Sequence, residues 1–376
     1  MRIKTQYIHQ LPNWPVFKWD HEKILQPLSQ ARLHQGKLLG RMEALGFRFR
    51  VDAALQTMTK EIVKSGEIEG EVLASDQVRS SLARKLGIDV AGLVPSDRNV
   101  DGVVELMLDA TLKYDQPLTS ERLFGWHALL FPTGRSGMYK ITVGNWRTDE
   151  QGPVQVVSGA MGRERVHYEA PAAEKVANEM DMFLNWFNTF YEIDPVLKAA
   201  LAHFWFITIH PFEDGNGRMA RAITDMQLAR SDGSAQRFNS MSAQIRKERN
   251  EYYECLERSQ SGSLEITDWI IWFMACLYRS IKATEEDLIG ILDKAKFWEK
   301  HNAKMLNERH RTMLNKLLDG FDGKMTTGKW SKIAKCSPDT ALRDIQFLMD
   351  KDILEKENAG GRSTNYKIKM NFLRRG

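Results

Sequence analysis

Residues 210–221, HPFEDGNGRMAR, combine residue types that could bind and transfer a phosphate-containing group. Gly215 and Gly217 flank Asn216, and glycines permit the positive-φ turns that aim successive backbone N–H groups into one concavity. A helical pattern follows the turn, so the positive end of a helix dipole would face the same point. The segment therefore predicts an anion site at a helix N-terminus, with phosphate as its natural ligand.

Charged side chains around this turn could complete a group-transfer site. Arg218 and Arg221 are three residues apart, so on a helix they share a face and both can reach phosphate oxygens. Asp214 is a hard oxygen ligand suited to Mg²⁺, which prefers one or two carboxylates plus phosphate oxygens. His210, with an ordinary pKa of about 6.5, can be neutral and accept a proton from a hydroxyl. Each feature alone is typical of a tight turn, a core histidine or a solvated helix face; together they predict hydroxyl attack on phosphorus.

The composition of the chain is that of an ordinary globular protein. Its 376 residues are 43% hydrophobic, and 53 basic against 49 acidic residues leave a net charge of +4, which calls for neither a nucleic-acid nor a membrane partner. The longest apolar run, residues 269–278, is about half of the ~20 residues that span a bilayer. The three cysteines are scattered without a CxxC pair, which is typical of a reducing compartment. We expect a cytoplasmic protein without membrane contact.

Helical periodicity dominates the chain and predicts a mainly α fold in three parts. We expect an N-terminal helical region over residues 1–95, a catalytic core over 96–285 and a C-terminal module over 300–376. Asp194 and Pro195 predict the start of the helix that leads into the motif. In residues 141–159, ITVGNWRTDEQGPVQVVSG, β-branched residues on both sides of a polar turn predict a small hairpin.

The last 70 or so residues read as three helices followed by a glycine-led hairpin, an order that resembles a winged helix-turn-helix. DNA-binding helices are basic, but the third helix here carries four acidic side chains, Asp339, Asp344, Asp350 and Asp352. Basic side chains of the hairpin are Arg362, Lys367 and Lys369. We therefore favour a protein-contact or dimerisation module over DNA binding.

The whole motif segment resembles the Fic family. It matches the pattern HPFx(D/E)GNGRxxR at every fixed position, with Glu213, Met219 and Ala220 in the free places. The flanking stretches HALLF, GNWRTDEQGPVQVVSG and IRKERNEYYECLE are similar to the family as well. The resemblance to the Fic core covers roughly residues 96–285.

This resemblance implies transfer of AMP from ATP to a Ser, Thr or Tyr hydroxyl of a target protein, with pyrophosphate leaving. It implies that His210 is the base, that Asp214 holds Mg²⁺ and that Phe212 packs inward to fix the loop. Phosphate contacts are implied for Gly215, Asn216, Gly217, Arg218 and Arg221, the arginines reaching the β- and γ-phosphates.

The resemblance also assigns the rest of the substrate site. A flap at residues 145–158 would clamp the target chain by β-augmentation. A Tyr-Tyr pair that encloses adenosine in the family corresponds to Tyr252 and Tyr253, with Tyr253 favoured, although amphipathic helix packing explains two tyrosines equally well. Gln260 stands where some members have Asn beside the adenine.

A second family pattern lies upstream in residues 64–73, KSGEIEGEVL. Ser65, Glu69 and Gly70 match the inhibitory pattern (S/T)xxxE(G/N) of Fic proteins, whereas in isolation the stretch is typical of an exposed acidic helix end. By this resemblance Glu69 forms a bidentate pair with Arg221 and withdraws it from the γ-phosphate.

Alternative functions remain open at this point. The same site could transfer another nucleotide, or remove AMP from modified proteins with Glu69 orienting a water molecule. The chain could also be a DNA-binding regulator with a degenerate Fic core, which the intact motif and the acidic helix oppose. The sequence leaves open the target protein, the modified residue type and the oligomeric state, including a homodimer.

Overall fold

The chain folds into fourteen α-helices and three two-stranded antiparallel hairpins within the residues that the computed structural model describes. Those residues are 6–44, 47–89, 92–149, 152–158, 165–301, 306–318, 321, 323–357 and 364–369. The mainly helical class with small hairpins is as predicted. Within these ranges, none of the helices combines the length and apolar character that crossing a membrane requires.

The helices are α1 (His21–Ala44), α2 (Phe47–Ile68), α3 (Ser75–Leu86), α4 (Arg98–Leu112), α5 (Ser120–Leu130), α6 (Ala173–Asn188), α7 (Pro195–Ile209), α8 (Asn216–Asp232), α9 (Met241–Lys247), α10 (Arg249–Gln260), α11 (Thr267–Lys300), α12 (Glu308–Leu318), α13 (Thr327–Ile333) and α14 (Pro338–Asp350). The strands are β1 (Arg135–Ser136), β2 (Tyr139–Lys140), β3 (Gln155–Ser158), β4 (Arg165–Glu169), β5 (Leu354–Glu357) and β6 (Asn365–Ile368). A short 3₁₀ helix, Ile8–Gln10, precedes α1.

The fold consists of two compact units, Met1–Thr284 and Glu285–Gly376. The N-terminal helices and the motif segment lie in the first unit, and α11 runs through the point of division. The division into three parts drawn from the sequence stays a prediction.

The centre of the first unit is the pair α7 and α8, which lie against each other and are joined by the motif loop. Every residue of α7 from Val196 onward is buried. The helix is apolar on all sides, and such a helix is stable only when other helices surround it. The helix begins as predicted, with the Asp194 carboxylate accepting the N–H of Val196 at 2.8 Å and Pro195 in the first turn. The motif loop therefore connects two deeply buried helices of the unit.

The hairpin predicted within residues 141–159 was wrong in its pairing. β3 pairs with β4, which lies further along the chain, with a bulge between Val156 and Val157. Residues 141–143 form no strand, and Thr142 instead binds Glu213 of the motif loop through its hydroxyl, 2.7 Å from Oε1. The β-branched side chains of these residues favour a strand, but the segment is bound to the motif loop through Thr142 instead. Residues 150–151 and 159 of the predicted hairpin lie outside the described part of the chain.

Strand β4 is held on the first unit by a buried tyrosine. Tyr168 is 1% exposed and donates its hydroxyl to the Thr208 carbonyl at 2.6 Å. Tyr7 and His9, from the start of the described chain, pack against the same ring. The N-terminal residues thus cover the strand that borders the motif loop.

In the described part of the second unit, the end of α11 is followed by three helices, α12 to α14, and by the β5–β6 hairpin, the order predicted from the sequence. The core of this unit is formed around Trp330, Met313 and Ile345. Asp344 is buried in this unit and accepts two hydrogen bonds of 3.0 Å from Arg309. Of the four acidic side chains assigned to the third helix, it therefore does not lie on the surface. Arg362 lies outside the described residues, and membership of the winged-helix class stays a prediction.

We expect Gly102→Ala to lower the free energy of unfolding by about 2 kcal/mol, because α4 and α5 touch backbone to backbone at this glycine. A Cβ atom on Gly102 would lie 2.1 Å from the Leu129 carbonyl oxygen. Urea denaturation measures the loss. Gly125→Ala in α5 is the matched control, since its Cβ would meet nothing within 4 Å and the change favours the helix by up to about 1 kcal/mol. Equal stability of the two variants would contradict the close α4–α5 contact.

Candidate active site

The motif loop turns sharply through two residues with left-handed backbone angles, His210 with φ 52° and Gly215 with φ 85°. For a non-glycine residue this region costs roughly 1–2 kcal/mol, and such strain is often found at functional sites. Gly215 also leaves space, because a Cβ there would lie 2.9 Å from the Phe131 ring. The local geometry thus demands glycine at 215 but is imposed on His210 by its surroundings.

The loop is closed by its own residues. The Phe212 N–H donates to Asn216 Oδ1 at 3.0 Å, and Asn216 Nδ2 donates back to the Phe212 carbonyl at 2.8 Å. The Phe212 ring is fully buried and stacks on His127, with centroids 4.3 Å apart. Phe212 therefore packs inward, while the Asn216 side chain is committed to the loop, so contact with a phosphate would come from its backbone.

His127, within HALLF, was not among the predicted site residues, but it supports the motif loop through its ring nitrogens. Its Nε2 lies 3.2 Å from the Asp214 carbonyl and its Nδ1 lies 3.4 Å from the Gly144 nitrogen. Burial lowers the pKa of His127 to about 4, so the ring is neutral at physiological pH, with Nε2–H donating and Nδ1 accepting. The sequence around His127 does not indicate this role, because Asp214 is 87 positions further along the chain.

His210 ends α7 and lies half-buried at the rim of the loop. Its Nδ1 lies 3.3 Å from the Ile207 carbonyl, which only a protonated Nδ1 can bind, leaving Nε2 with a free lone pair. Burial, with a smaller contribution from Arg147, lowers the pKa of His210 to about 4 against the opposing effects of Ile207, Glu69 and Asp214. The imidazole is therefore neutral above that pH and can accept a proton.

A cavity of about 590 Å³ lies between the motif loop, the β3–β4 hairpin and α10. Several predicted site residues line it together: His210, Asp214, Gly215, Asn216, Gly217, Glu69, Tyr253 and Gln260. Tyr252 also borders the cavity but is 2% exposed, and its hydroxyl lies 2.9 Å from His203 Nε2. Gln260 is buried and donates to the Thr208 hydroxyl at 3.1 Å. Tyr253 is the more accessible of the two tyrosines.

The Asp214 carboxylate lies beside the N-terminus of α8. Its Oδ1 accepts the Gly215 N–H at 2.6 Å and its Oδ2 accepts the Ser136 hydroxyl from β1. Within the described ranges no cluster of three or more His, Cys, Asp or Glu side chains could hold a metal by itself. A single carboxylate beside a phosphate site fits Mg²⁺, which takes its remaining ligands from phosphates and water, and Asp214 is the residue that would hold it.

Arg221 is 3% exposed, and its guanidinium is bound entirely by the end of α2 in the contacts that the structure describes. Nη1 donates to Glu69 Oε1 at 2.8 Å, while Nε and Nη2 donate to the hydroxyl and carbonyl of Ser65 at 2.8 and 2.9 Å. The structure thus brings Ser65 and Glu69 to Arg221. The expected bidentate pair was wrong, because Ser65 takes the second half of the guanidinium fork.

The turn that follows α2 is closed by two backbone hydrogen bonds. Gly70 N–H donates to the Glu67 carbonyl at 3.3 Å and Glu71 N–H donates to the Gly66 carbonyl at 3.0 Å, the pattern of a Schellman cap. Gly70 has φ 85°, which explains glycine at this place of the pattern. The cap sets the directions of the glutamates on either side of Gly70.

Glu71, which the sequence analysis did not single out, binds the other motif arginine. Its Oε2 accepts from Arg218 Nη1 at 2.8 Å and its Oε1 accepts from Asn99 Nδ2 at 2.5 Å. Arg218 is 9% exposed and its guanidinium lies over the Phe131 ring, 5.0 Å from the centroid. Two glutamates of one turn therefore hold the two arginines that were predicted to bind phosphates.

Gly217 is needed for space rather than for a positive φ. It lies in the first turn of α8 with helical angles, so the positive φ expected from the sequence was wrong at this position. A Cβ on Gly217 would lie 2.1 Å from Glu69 Oε1. The Glu69 carboxylate thus rests directly against the helix N-terminus where an anion would bind.

Comparison with known proteins places the motif in a described family. Residues 117–228 match the Fic/DOC family, and residues 7–88, which include the α2 turn, match a domain of unknown function, DUF4172. The chain is 27% identical over 271 residues to Protein adenylyltransferase Fic of Culex quinquefasciatus, covering 69% of this chain and 48% of that protein. It is 26% identical over 219 residues to Protein adenylyltransferase fic-1 of Caenorhabditis elegans, covering 56% and 39%.

The chain therefore spans about half or less of the length of these named relatives. Among solved structures, a Fic family protein from Desulfovibrio desulfuricans G20 superposes with a TM-score of 0.51 at 19% identity, over 91% of this chain and 95% of that one. At that identity the likeness concerns the fold. Residues 117–228 thus match the Fic/DOC family, and the mainly helical fold is similar to that of a Fic family protein.

Proposed function

We propose that the protein transfers AMP from ATP to a hydroxyl side chain of a target protein, and that its own α2 turn restrains this activity. The observation that carries the proposal is the convergence of a neutral histidine, a helix N-terminus and a carboxylate on one cavity of about 590 Å³, with two buried arginines on the same helix. Relatives at 26–27% identity named protein adenylyltransferase support the reaction class.

In the proposed reaction His210 Nε2 takes the proton of a Ser, Thr or Tyr hydroxyl. The hydroxyl oxygen forms a bond to the α-phosphorus of ATP, the bond from that phosphorus to the bridging oxygen breaks, and pyrophosphate leaves. Backbone N–H groups at the start of α8, with Arg218 and Arg221, would hold the phosphates. Mg²⁺ on Asp214 would neutralise the charge of the departing pyrophosphate.

The remaining walls of the cavity suit the other parts of the substrates. Tyr253 and Gln260 on α10 would border the adenosine, because they line the end of the cavity formed by α10. β3 (Gln155–Ser158), at the end of the flap predicted over residues 145–158, would bind an extended stretch of the target protein through its backbone. Val157 of this strand is 48% exposed, so the strand is accessible to a partner chain.

We expect His210→Ala to lower AMP transfer by about 10²-fold or more while ATP affinity stays nearly unchanged, because the base acts on the target hydroxyl and not on the nucleotide. The measurement is incorporation of label from α-phosphate-labelled ATP into lysate proteins, followed by mass spectrometry of the labelled band. ATP affinity by calorimetry is the internal control. Wild-type labelling by His210→Ala would remove the assigned base.

The proposed restraint has two physical causes: Glu69 and a phosphate compete for the same Arg221 donors, and they compete for the same space. Each of the three guanidinium nitrogens of Arg221 already donates to Glu69 or Ser65, so the guanidinium must leave these acceptors before it can bind a γ-phosphate with the same N–H groups. In addition, Glu69 Oε1 lies against Gly217 at the helix N-terminus, where its negative charge repels an incoming phosphate. ATP in a productive pose must therefore displace the carboxylate.

We expect Glu69→Gly to raise AMP transfer by about tenfold or more. A hydrogen bond to a charged group contributes about 1.5–3 kcal/mol, and about 1.4 kcal/mol corresponds to a factor of ten; since Glu69 is 31% exposed, we take the lower end. Label incorporation is compared for wild type, Glu69→Gly and Glu69→Gly with Arg221→Ala, in which the gain should vanish.

Glu67→Gly is the matched control for this experiment. Glu67 lies in the same turn but pairs with Lys64 at 2.6 Å and Arg246 at 3.5 Å, away from the motif arginines. It therefore reports any effect of weakening the helix end. If Glu67→Gly activates as much as Glu69→Gly, or if Glu69→Gly labels no better than wild type, the inhibitory assignment fails.

We expect Glu71→Gln to raise MgATP affinity by about two- to fivefold, because it frees Arg218 for a phosphate. The pair is part-exposed on the Glu71 side, at 26%, and such pairs contribute up to about 1 kcal/mol. Calorimetric titration with MgATP measures the change, with Glu67→Gln as the control of equal charge. An affinity equal to that of Glu67→Gln would show that Glu71 does not compete with the nucleotide.

A further inference from the structure

Arg147, between β2 and β3, is a buried arginine, and each of its three guanidinium nitrogens donates to a specific acceptor. It is 3% exposed. Its Nε donates to the His210 carbonyl at 2.8 Å, its Nη1 to Asp149 Oδ1 at 3.1 Å and its Nη2 to the Pro171 carbonyl. A guanidinium is rarely this buried unless its donors are matched, so these three contacts define where Arg147 can lie.

The same residue binds two successive carbonyl groups of the motif loop. Besides the bond from Nε to His210, its backbone N–H donates to the Pro211 carbonyl at 3.0 Å. His210 has φ 52° and ψ 60°, which non-glycine residues seldom adopt, and the following proline further restricts its backbone. Such a conformation persists only where the surroundings fix it. Arg147 fixes this backbone conformation through two contacts, one from its side chain and one from its backbone N–H.

The far end of the arginine is anchored to the start of α6. Asp149, which accepts from Nη1, also accepts the Ala173 N–H through Oδ2 at 2.6 Å. Pro171, which accepts from Nη2, lies two residues before Ala173. The carbonyl of His210 is thereby tied to a helix start, which is a rigid reference point.

We propose that Arg147 is a positioning residue for His210, holding its backbone in the left-handed conformation so that Nε2 faces the cavity. The inference rests on the proposed function in one respect, since the step that it would slow is proton transfer from the target hydroxyl. A base displaced by about 1 Å can lose as much as about 100-fold in rate, whereas ATP is bound by other groups.

Arg147→Lys tests this assignment. Lysine keeps the positive charge, but its single nitrogen cannot reach the His210 carbonyl, Asp149 and the Pro171 carbonyl together. Arg122→Lys is the matched control: Arg122 is also mostly buried and donates to Asp109 Oδ2 at 2.6 Å and to backbone carbonyls, at the α4–α5 junction and away from the motif loop. Both are made in the Glu69→Gly protein, where the restraint does not mask the rate.

We expect Arg147→Lys to lower kcat for AMP transfer by about 10- to 100-fold with KM for ATP within about twofold, and Arg122→Lys to change neither. In ¹⁵N-histidine NMR, Arg147→Lys should shift the His210 ring signals and reduce the Nδ1–H tautomer. Asp149→Asn, which weakens the anchor and leaves the arginine, should act in the same direction with a smaller loss of kcat.

Two results would overturn the inference. One is a kcat for Arg147→Lys equal to that of Arg122→Lys; the other is a parallel loss of kcat, ATP affinity and melting temperature, which is the signature of a purely structural role. If Arg147→Lys does not fold, Asp149→Asn decides on the same readouts. If no variant transfers AMP, the proposed function fails by itself, and unchanged His210 signals in Arg147→Lys are then the result that overturns the positioning role.

Discussion

The arrangement of the site depends on how the protein satisfies one buried guanidinium, that of Arg221. A charged group with 3% exposure costs several kcal/mol unless its donors are matched, and the end of α2 supplies the acceptors through Ser65 and Glu69. The α2 turn is therefore part of the structure of the motif. A nucleotide phosphate would offer the same guanidinium an alternative acceptor, so the fold and the proposed restraint would depend on one interaction.

The body of α2 is fixed independently of this turn. Glu61, 5% exposed on α2, accepts from the Ser240 hydroxyl at 2.7 Å and from the Ser242 N–H at 3.0 Å at the start of α9. These buried polar contacts would be costly to break. The proposed exchange of glutamates for phosphates would therefore involve only residues 66–71, where Gly66 and Gly70 close the cap, and would not require α2 to dissociate.

His210, the proposed base, and Asp214, the proposed metal ligand, are held by separate contacts at the two ends of the same loop. Arg147 binds the carbonyl of His210, and His127 binds the carbonyl of Asp214. Between them, the Phe212 ring stacks on His127 and fills the space under the turn. The His210 imidazole and the Asp214 carboxylate, at opposite ends of the loop, are therefore held at a fixed separation. This is the condition for a preorganised site.

The sequence by itself determined the motif and its local geometry, because those features arise within a few residues. Gly215 at the left-handed position, Asp194 at the start of α7, and Ser65 and Glu69 on one side of the end of α2 all follow from local rules of turns, caps and helical spacing. Only the tertiary structure decided the partners. Arg147 reaches His210 across 63 positions and Glu71 reaches Arg218 across 147, and among 53 basic and 49 acidic residues nothing local selects these pairs. The pairing of β3 with β4 was decided in the same way, since β-branched residues favour a strand but burial chooses its neighbour.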